Sequence, residues 1–116
     1  MKQSAAGSQV RKERVLVEVR VASVDDLPKS GGLRVEANGK QIAVFRHQGQ
    51  FWAIEDECPH KGGSLHEGAV QEGVVSCPWH QWQFDIRTGI SPVNPLSKVR
   101  TYSTRVQGTD LLVTID

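Results

Sequence analysis

Long apolar runs are missing from this chain of 116 residues. No segment approaches the roughly 18 apolar residues of a membrane-spanning helix, so no membrane association of that kind is expected. The opening stretch, Met1 to Gln9, is rich in Ser, Ala, Gly and Gln and has no apolar core of the sort a secretory signal carries. Neither sign of charge is in excess: 14 basic and 13 acidic residues leave a formal net charge of +1. That balance gives no electrostatic footprint for nucleic acid or for an anionic membrane surface. The densest basic stretch, Arg11-Lys12-Glu13-Arg14, is broken by a glutamate beside the polar start and reads as a solvated tail. There is no repeat, no low-complexity segment, and no glycine fingerprint for a nicotinamide or flavin dinucleotide. Cysteine is scarce, at two residues. Both are followed by proline with a histidine close by, a pattern that favours ligation in a reducing compartment over a disulfide. A cytoplasmic protein is expected.

What is abundant is valine. Leu, Ile, Val and Phe total 30 residues, about a quarter of the chain and above the roughly one-fifth level that marks disorder. Fifteen of the 30 are valine, which suits pleated, half-buried strands better than helices. The length fits one domain. Residues 1–12 are expected to be a disordered tail and residues 13–116 the folded unit.

Along that unit the period is two. Val15, Val17, Val19 and Val21 alternate with Leu16, Glu18 and Arg20, predicting a strand with one face buried. Asp25-Asp26-Leu27-Pro28 predicts a turn, or a single helical turn capped by Asp. Leu33–Ala37 alternates again, Asn38-Gly39 is a strong hairpin signal, and Ile42–Phe45 is the expected returning strand. Gln48-Gly49-Gln50 turns the chain into Phe51–Ile54. Further strands are predicted at Gly73–Cys77, Gln83–Asp85, Val99–Val106 and Leu111–Ile115, the last two forming a hairpin turned at Gln107-Gly108. Pro92 and Pro95 make Ser91–Leu96 a stiff loop and not a central strand. No helix of three turns is predicted. The fold class is all-β, an antiparallel sandwich or barrel.

The chemistry concentrates in two loops. Cys58-Pro59-His60-Lys61-Gly62-Gly63 and Cys77-Pro78-Trp79-His80 contain both cysteines and two of the four histidines. Each loop offers one thiolate and one imidazole. Thiolate suits zinc or iron–sulfur and imidazole is acceptable to both, so ligand type alone leaves the metal open. Structural zinc sites more often take C-x2–4-C and H-x3–5-H pairs than one Cys and one His from each loop.

The two stretches resemble the C-x-H…C-x2-H signature of the Rieske [2Fe–2S] family. Leu65-His66-Glu67-Gly68 after the first loop, and Phe84-Asp85 and Thr88-Gly89 after the second, are similar to that family as well. The likeness runs from about Val19 to Ile115. It implies a sandwich carrying a cluster-binding subdomain made of two loops. It also implies one [2Fe–2S] cluster, with Cys58 and Cys77 on the inner iron and His60 and His80 on the outer. Neutral imidazoles in place of two thiolates ease reduction, to a range of about −150 to +300 mV.

High-potential members bridge the two loops with a disulfide, at positions matching Gly63 and Trp79 here. They also direct Ser and Tyr hydroxyls at the cluster from positions matching Trp82 and Phe84. This chain has neither device, which places it at the low end. Pro92 and Pro95 resemble the proline-rich loop that covers the cluster.

The resemblance further implies an electron carrier and not an enzyme: a soluble ferredoxin between a reductase and an oxygenase. One alternative is the small subunit of an NAD(P)H-dependent nitrite reductase. Another, of a different class, is a structural zinc module that binds a second protein. An oxygenase would need a further iron site with two histidines and a carboxylate, and only His47 and His66 remain for it. Both are expected to be exposed turn residues, with the edge of a partner surface as the alternative for His66, while Trp79 and Trp82 shield the cluster, form part of an apolar docking face, or are simply packing.

Overall fold

The computed structural model describes residues 15–59, 62–79 and 81–116. The tail expected at residues 1–12, and with it His60, Lys61 and His80, lie outside the described residues. The described residues form ten strands: β1 (Val17–Ser23), β2 (Gly32–Ala37), β3 (Lys40–His47), β4 (Gln50–Glu55), β5 (Ala69–Gln71), β6 (Val74–Ser76), β7 (Gln83–Asp85), β8 (Thr101–Tyr102), β9 (Thr104–Gln107) and β10 (Asp110–Ile115). The helical content of the described residues is two single 3-10 turns, Val24–Asp26 and Leu65–Glu67. The strands form three antiparallel sheets, ordered β1-β10-β9, β2-β3-β4-β8 and β5-β6-β7.

The β2-β3-β4-β8 sheet lies between two cores. Ile42, Val44 and Ala53 point to one side, where they meet Val35, Leu111, Val113 and Ile115. Ala43, Phe45 and Ile54 point to the other, where they meet Cys58, Leu65, Val75, Cys77, Phe84 and Ile86. This explains why Ile42–Phe45 is an unbroken apolar run: both faces of β3 are buried, so alternation disappears. The first core belongs to the sandwich. The second contains both cysteines.

Turn chemistry sets much of the register. Asn38 and Gly39 both have positive φ, 55° and 81°, as a two-residue hairpin loop of the primed type requires. Gln48-Gly49 repeats the arrangement. So does Glu72-Gly73, between β5 and β6. That third hairpin, and β5 with it, was not predicted, because a glutamate at positive φ gives no turn signal.

Three sequence expectations are corrected. Val15 and Leu16 are exposed, and the first strand begins at Val17. Its register shifts between Arg20 and Ala22, which brings Ala22 into the core. The turn at Val24–Asp26 is capped by Ser23, not by Asp. Ser23 Oγ accepts from the Asp25 N–H, and the Asp26 side chain accepts from the Ser23 N–H. Finally, Val99–Val106 is not one strand. β8 pairs with β4, and after Ser103 the chain crosses to the other sheet, where β9 pairs with β10. Such a switch makes the corner of a sandwich.

Candidate metal centre

Two loops built alike carry the cysteines. In the first, the Cys58 N–H donates to the Gly63 carbonyl at 2.7 Å and the Gly62 N–H to the Cys58 carbonyl at 2.8 Å. In the second, the Cys77 N–H donates to the Trp82 carbonyl at 2.6 Å and the Gln81 N–H to the Cys77 carbonyl at 2.9 Å. Gly62 and Gln81 occupy the same place and both have positive φ, 78° and 62°. Residue for residue, Cys58 matches Cys77, Pro59 matches Pro78, and Gly63 matches Trp82. The histidines break this equivalence, since His60 follows its cysteine by two positions and His80 by three.

Gln81 is the less comfortable tenant of its position, because a Cβ at positive φ is strained where Gly62 is not. Gln81→Gly should therefore stabilise the protein by up to about 1 kcal/mol, read as a rise in its urea midpoint.

The loops meet at the second cysteine. A Cβ placed on Gly63 would lie 2.8 Å from Cys77 Sγ and 3.2 Å from Trp79 Cγ, so the turn of the first loop abuts the thiol of the second. The same Cβ would lie 3.5 Å from Trp79 Cβ, inside the spacing of about 3.5–4.5 Å that a disulfide spans. The two positions matched to the family's interloop disulfide are thus neighbours here, and the Trp79 ring packs on the bare glycine. No disulfide joins Cys58 to Cys77. Each is 1% exposed, and they share one apolar core with Leu65, Val75 and Phe84. Two buried thiols, one from each matched loop, fit the cysteine half of a mixed Cys/His donor set. Among the described residues no group of three or more ligand-type side chains gathers, because the expected imidazole donors are outside them.

The surroundings complete the site. After the second loop, hydrogen bonds from the Arg87 guanidinium hold the Asp85 carboxyl below its usual range and fix the exit from β7. Loop 91–97 closes on itself. Buried Ser91 accepts from the Val93 and Asn94 N–H groups, and its own N–H donates to the Ser97 carbonyl. Val93 from that loop lines a groove with Gln81, Trp82 and Gln83, so the proline loop flanks the second ligand loop. Trp79 is 62% exposed, whereas Trp82 is half-buried against the second core.

The other two histidines differ from expectation. His47 ends β3 half-buried, and its carbonyl accepts the Trp52 indole N–H at 3.4 Å. The His66 ring is only partly exposed and is turned toward Asp56. Its Nδ1 lies 2.9 Å from Asp56 Oδ1, with the side chain 22% exposed. Nothing in the local pattern pairs Asp56 with a residue ten positions on, so sequence reasoning missed the contact.

The profile of the Rieske [2Fe–2S] domain matches residues 17–103. This chain belongs to the Rieske [2Fe–2S] family. Over 96 residues it is 35% identical to the biphenyl dioxygenase ferredoxin subunit of Pseudomonas sp., covering 81% of this chain and 88% of that one. Among solved structures it is similar to a chain in the complex of reduced oxygenase and oxidized ferredoxin of carbazole 1,9a-dioxygenase. The TM-score there is 0.74 and the identity 30%, over 83% of this chain and 91% of that one. A small subunit assigned to an NADH-dependent nitrite reductase of Mycobacterium tuberculosis matches with a TM-score of 0.81. It covers 89% of this chain and 98% of that one, but at 23% identity it shows the fold alone.

As a Rieske protein the chain carries a [2Fe–2S] cluster and serves as an electron carrier, not as an enzyme in its own right. The zinc reading that ligand type left open falls away. Among the described residues no helix is long and apolar enough to cross a membrane.

Proposed function

We propose that this chain is the ferredoxin of an oxygenase system, taking single electrons from a reductase and passing them to the oxygenase in the cytoplasm. Cys58 and Cys77 hold the inner iron of the cluster, and His60 and His80 hold the outer iron. The observation that carries this reading is the pair of matched loops with two buried thiols in one core. The likeness to the biphenyl and carbazole dioxygenase ferredoxins supports the choice of partner. When bound, the cluster supplies the one-electron chemistry. The chain's own residues keep water from the thiols, orient the donors and present a surface to the partner. Trp79 on the second ligand loop, with Val93 and Leu96 on the flanking loop, is exposed and apolar, and forms the rim that meets the oxygenase.

The potential lies at the low end of the Rieske range. Hydrogen bonds to sulfur stabilise the electron-rich reduced state. Trp82 and Phe84 have no hydroxyl to give, and Phe84 is fully buried in the same core as both cysteines. The Glu57 carboxylate, 3.5 Å from where a Gly62 Cβ would stand, adds negative charge beside the first loop and opposes reduction. Phe84→Tyr should raise the potential by about 20 to 60 mV, the equivalent of one ordinary hydrogen bond in a one-electron couple. Voltammetry of the purified variant checks this.

The function itself is tested by EPR of the purified protein before and after dithionite, with iron and zinc quantified, followed by electron delivery to a biphenyl-type oxygenase. A signal of low average g that appears only on reduction, together with turnover of the oxygenase, is the expected result. Zinc in an EPR-silent sample would sink the cofactor. Co-purification from native cells with a large sirohaem flavoprotein would replace the oxygenase by nitrite reductase.

A further inference from the structure

We infer that Asp56 and His66 form a latch that holds the first cluster loop in its ligating shape, which makes His66 a positioning residue although it is outside the ligand set. The inference rests on the reading that the two loops hold the cluster. Among the described residues, the segment between the end of β4 at Glu55 and the start of β5 at Ala69 has no strand and only the single 3-10 turn Leu65–Glu67. What closes it is a neck. The Leu65 N–H donates to the Asp56 carbonyl at 2.7 Å. Asp56 Oδ1 accepts from the His66 backbone N–H and from the ring Nδ1–H, both at 2.9 Å. Glu57 and Ser64 pair as an isolated antiparallel bridge just beyond. Cys58 and His60 are carried on the loop that this neck closes.

The latch is strong because it is buried. Asp56 is 3% exposed. A carboxylate out of water is unfavourable unless it is hydrogen-bonded and paired, so its oxygens hold their donors firmly. Oδ1 has the two His66 donors, and Arg34 Nε stands 3.8 Å from Oδ2. Both the neutral Nδ1–H tautomer and the imidazolium can donate to Oδ1, with Nε2 turned toward Glu67 Oε2 at 3.9 Å. Leu65 is fully buried in the core that contains Cys58. The latch therefore sets two things together: the seat of Leu65 under the loop and the backbone direction two residues before the Cys58 thiol. Without it, the neck keeps its main-chain hydrogen bonds and the packing of Leu65, but loses the side-chain contact that ties its two sides together.

Three holo-proteins test the idea: the parent, His66→Ala and His66→Asn. Release of the cluster to a chelator is followed by the decay of visible absorbance, and the g values of the reduced centre by EPR. Asn places an Nδ2–H near the position of the imidazole Nδ1–H, so it keeps the donor and loses the ring. The expected result is roughly tenfold faster release in His66→Ala, with displaced g values, and near-parental behaviour in His66→Asn. Parental release and g values in His66→Ala would overturn the latch. Equal impairment in both variants would overturn the hydrogen bond as its cause. A lower melting temperature with unaltered g values would also overturn it, by reducing His66 to general stability. If the parent itself shows no Rieske signal, the cluster reading falls and the latch with it; a normal parental signal confines any failure to the latch.

Discussion

Cys77→Ser, and separately His80→Ala, should leave the purified protein colourless, with iron falling from about two atoms per chain to near zero. Each change removes one of the four proposed protein donors. Serine is a poor replacement for a soft thiolate, and alanine offers nothing to the outer iron. Cys77 is 1% exposed, so no other side chain can swing in from solvent to take its place. The fold divides the consequence unevenly. The sandwich core around Ile42, Val44, Leu111 and Val113 contains no expected ligand, whereas the second core contains both cysteines. The strand signal in circular dichroism should therefore survive, while near-ultraviolet bands from Trp79 and Trp82 on the second loop change. Iron analysis, EPR and circular dichroism on one preparation decide the matter. A variant with full iron and a parental spectrum would refute the ligand assignment.

Gly63→Ala should be nearly as damaging, for a reason the neighbouring glycine isolates. The new methyl would stand 2.8 Å from Cys77 Sγ and 3.2 Å from the Trp79 ring. Trp79 is exposed and can turn away. Cys77 Sγ cannot, because it is packed in the core and is an expected iron ligand. Overpacking of this kind costs about 1–3 kcal/mol, which here should appear as cluster release faster by about one to two orders of magnitude. Gly62→Ala is the control. Gly62 has φ of 78°, so alanine strains its backbone, but among the described residues the nearest obstacle to its Cβ is the flexible Glu57 carboxylate at 3.5 Å. It should lose about 1 kcal/mol of stability with little change in the spectrum of the bound cluster. Equal spectra and release rates in the two variants would show that the close approach to Cys77 is not what Gly63 provides.

Several features were legible because they are local. Asn38-Gly39 announces a hairpin since only certain residues accept positive φ, and valine alternation announces strands since successive side chains point to opposite faces. The two Cys-Pro loops were legible because soft donors are rare in this chain and stand close together in it. Where the local signal was weak, the reading failed. Glu72-Gly73 hid a hairpin and the strand before it. The corner at Ser103 carries no glycine or proline, so Val99–Val106 looked continuous. His66 does occupy a turn, but it was expected to face solvent because its partner, Asp56, is ten positions away and chosen by burial.

The sequence by itself determined the all-β character and pointed to the proposed donor atoms and the two loops that carry them, since each depends on residues adjacent in the chain. The tertiary structure alone decided that β3 is buried on both faces and that the strand after β8 crosses to another sheet. It alone decided that Gly63 lies against Cys77, and that a buried carboxylate closes the first loop. Those outcomes follow from close packing and from the demand that buried polar groups find partners. Neither condition can be met until distant segments are side by side.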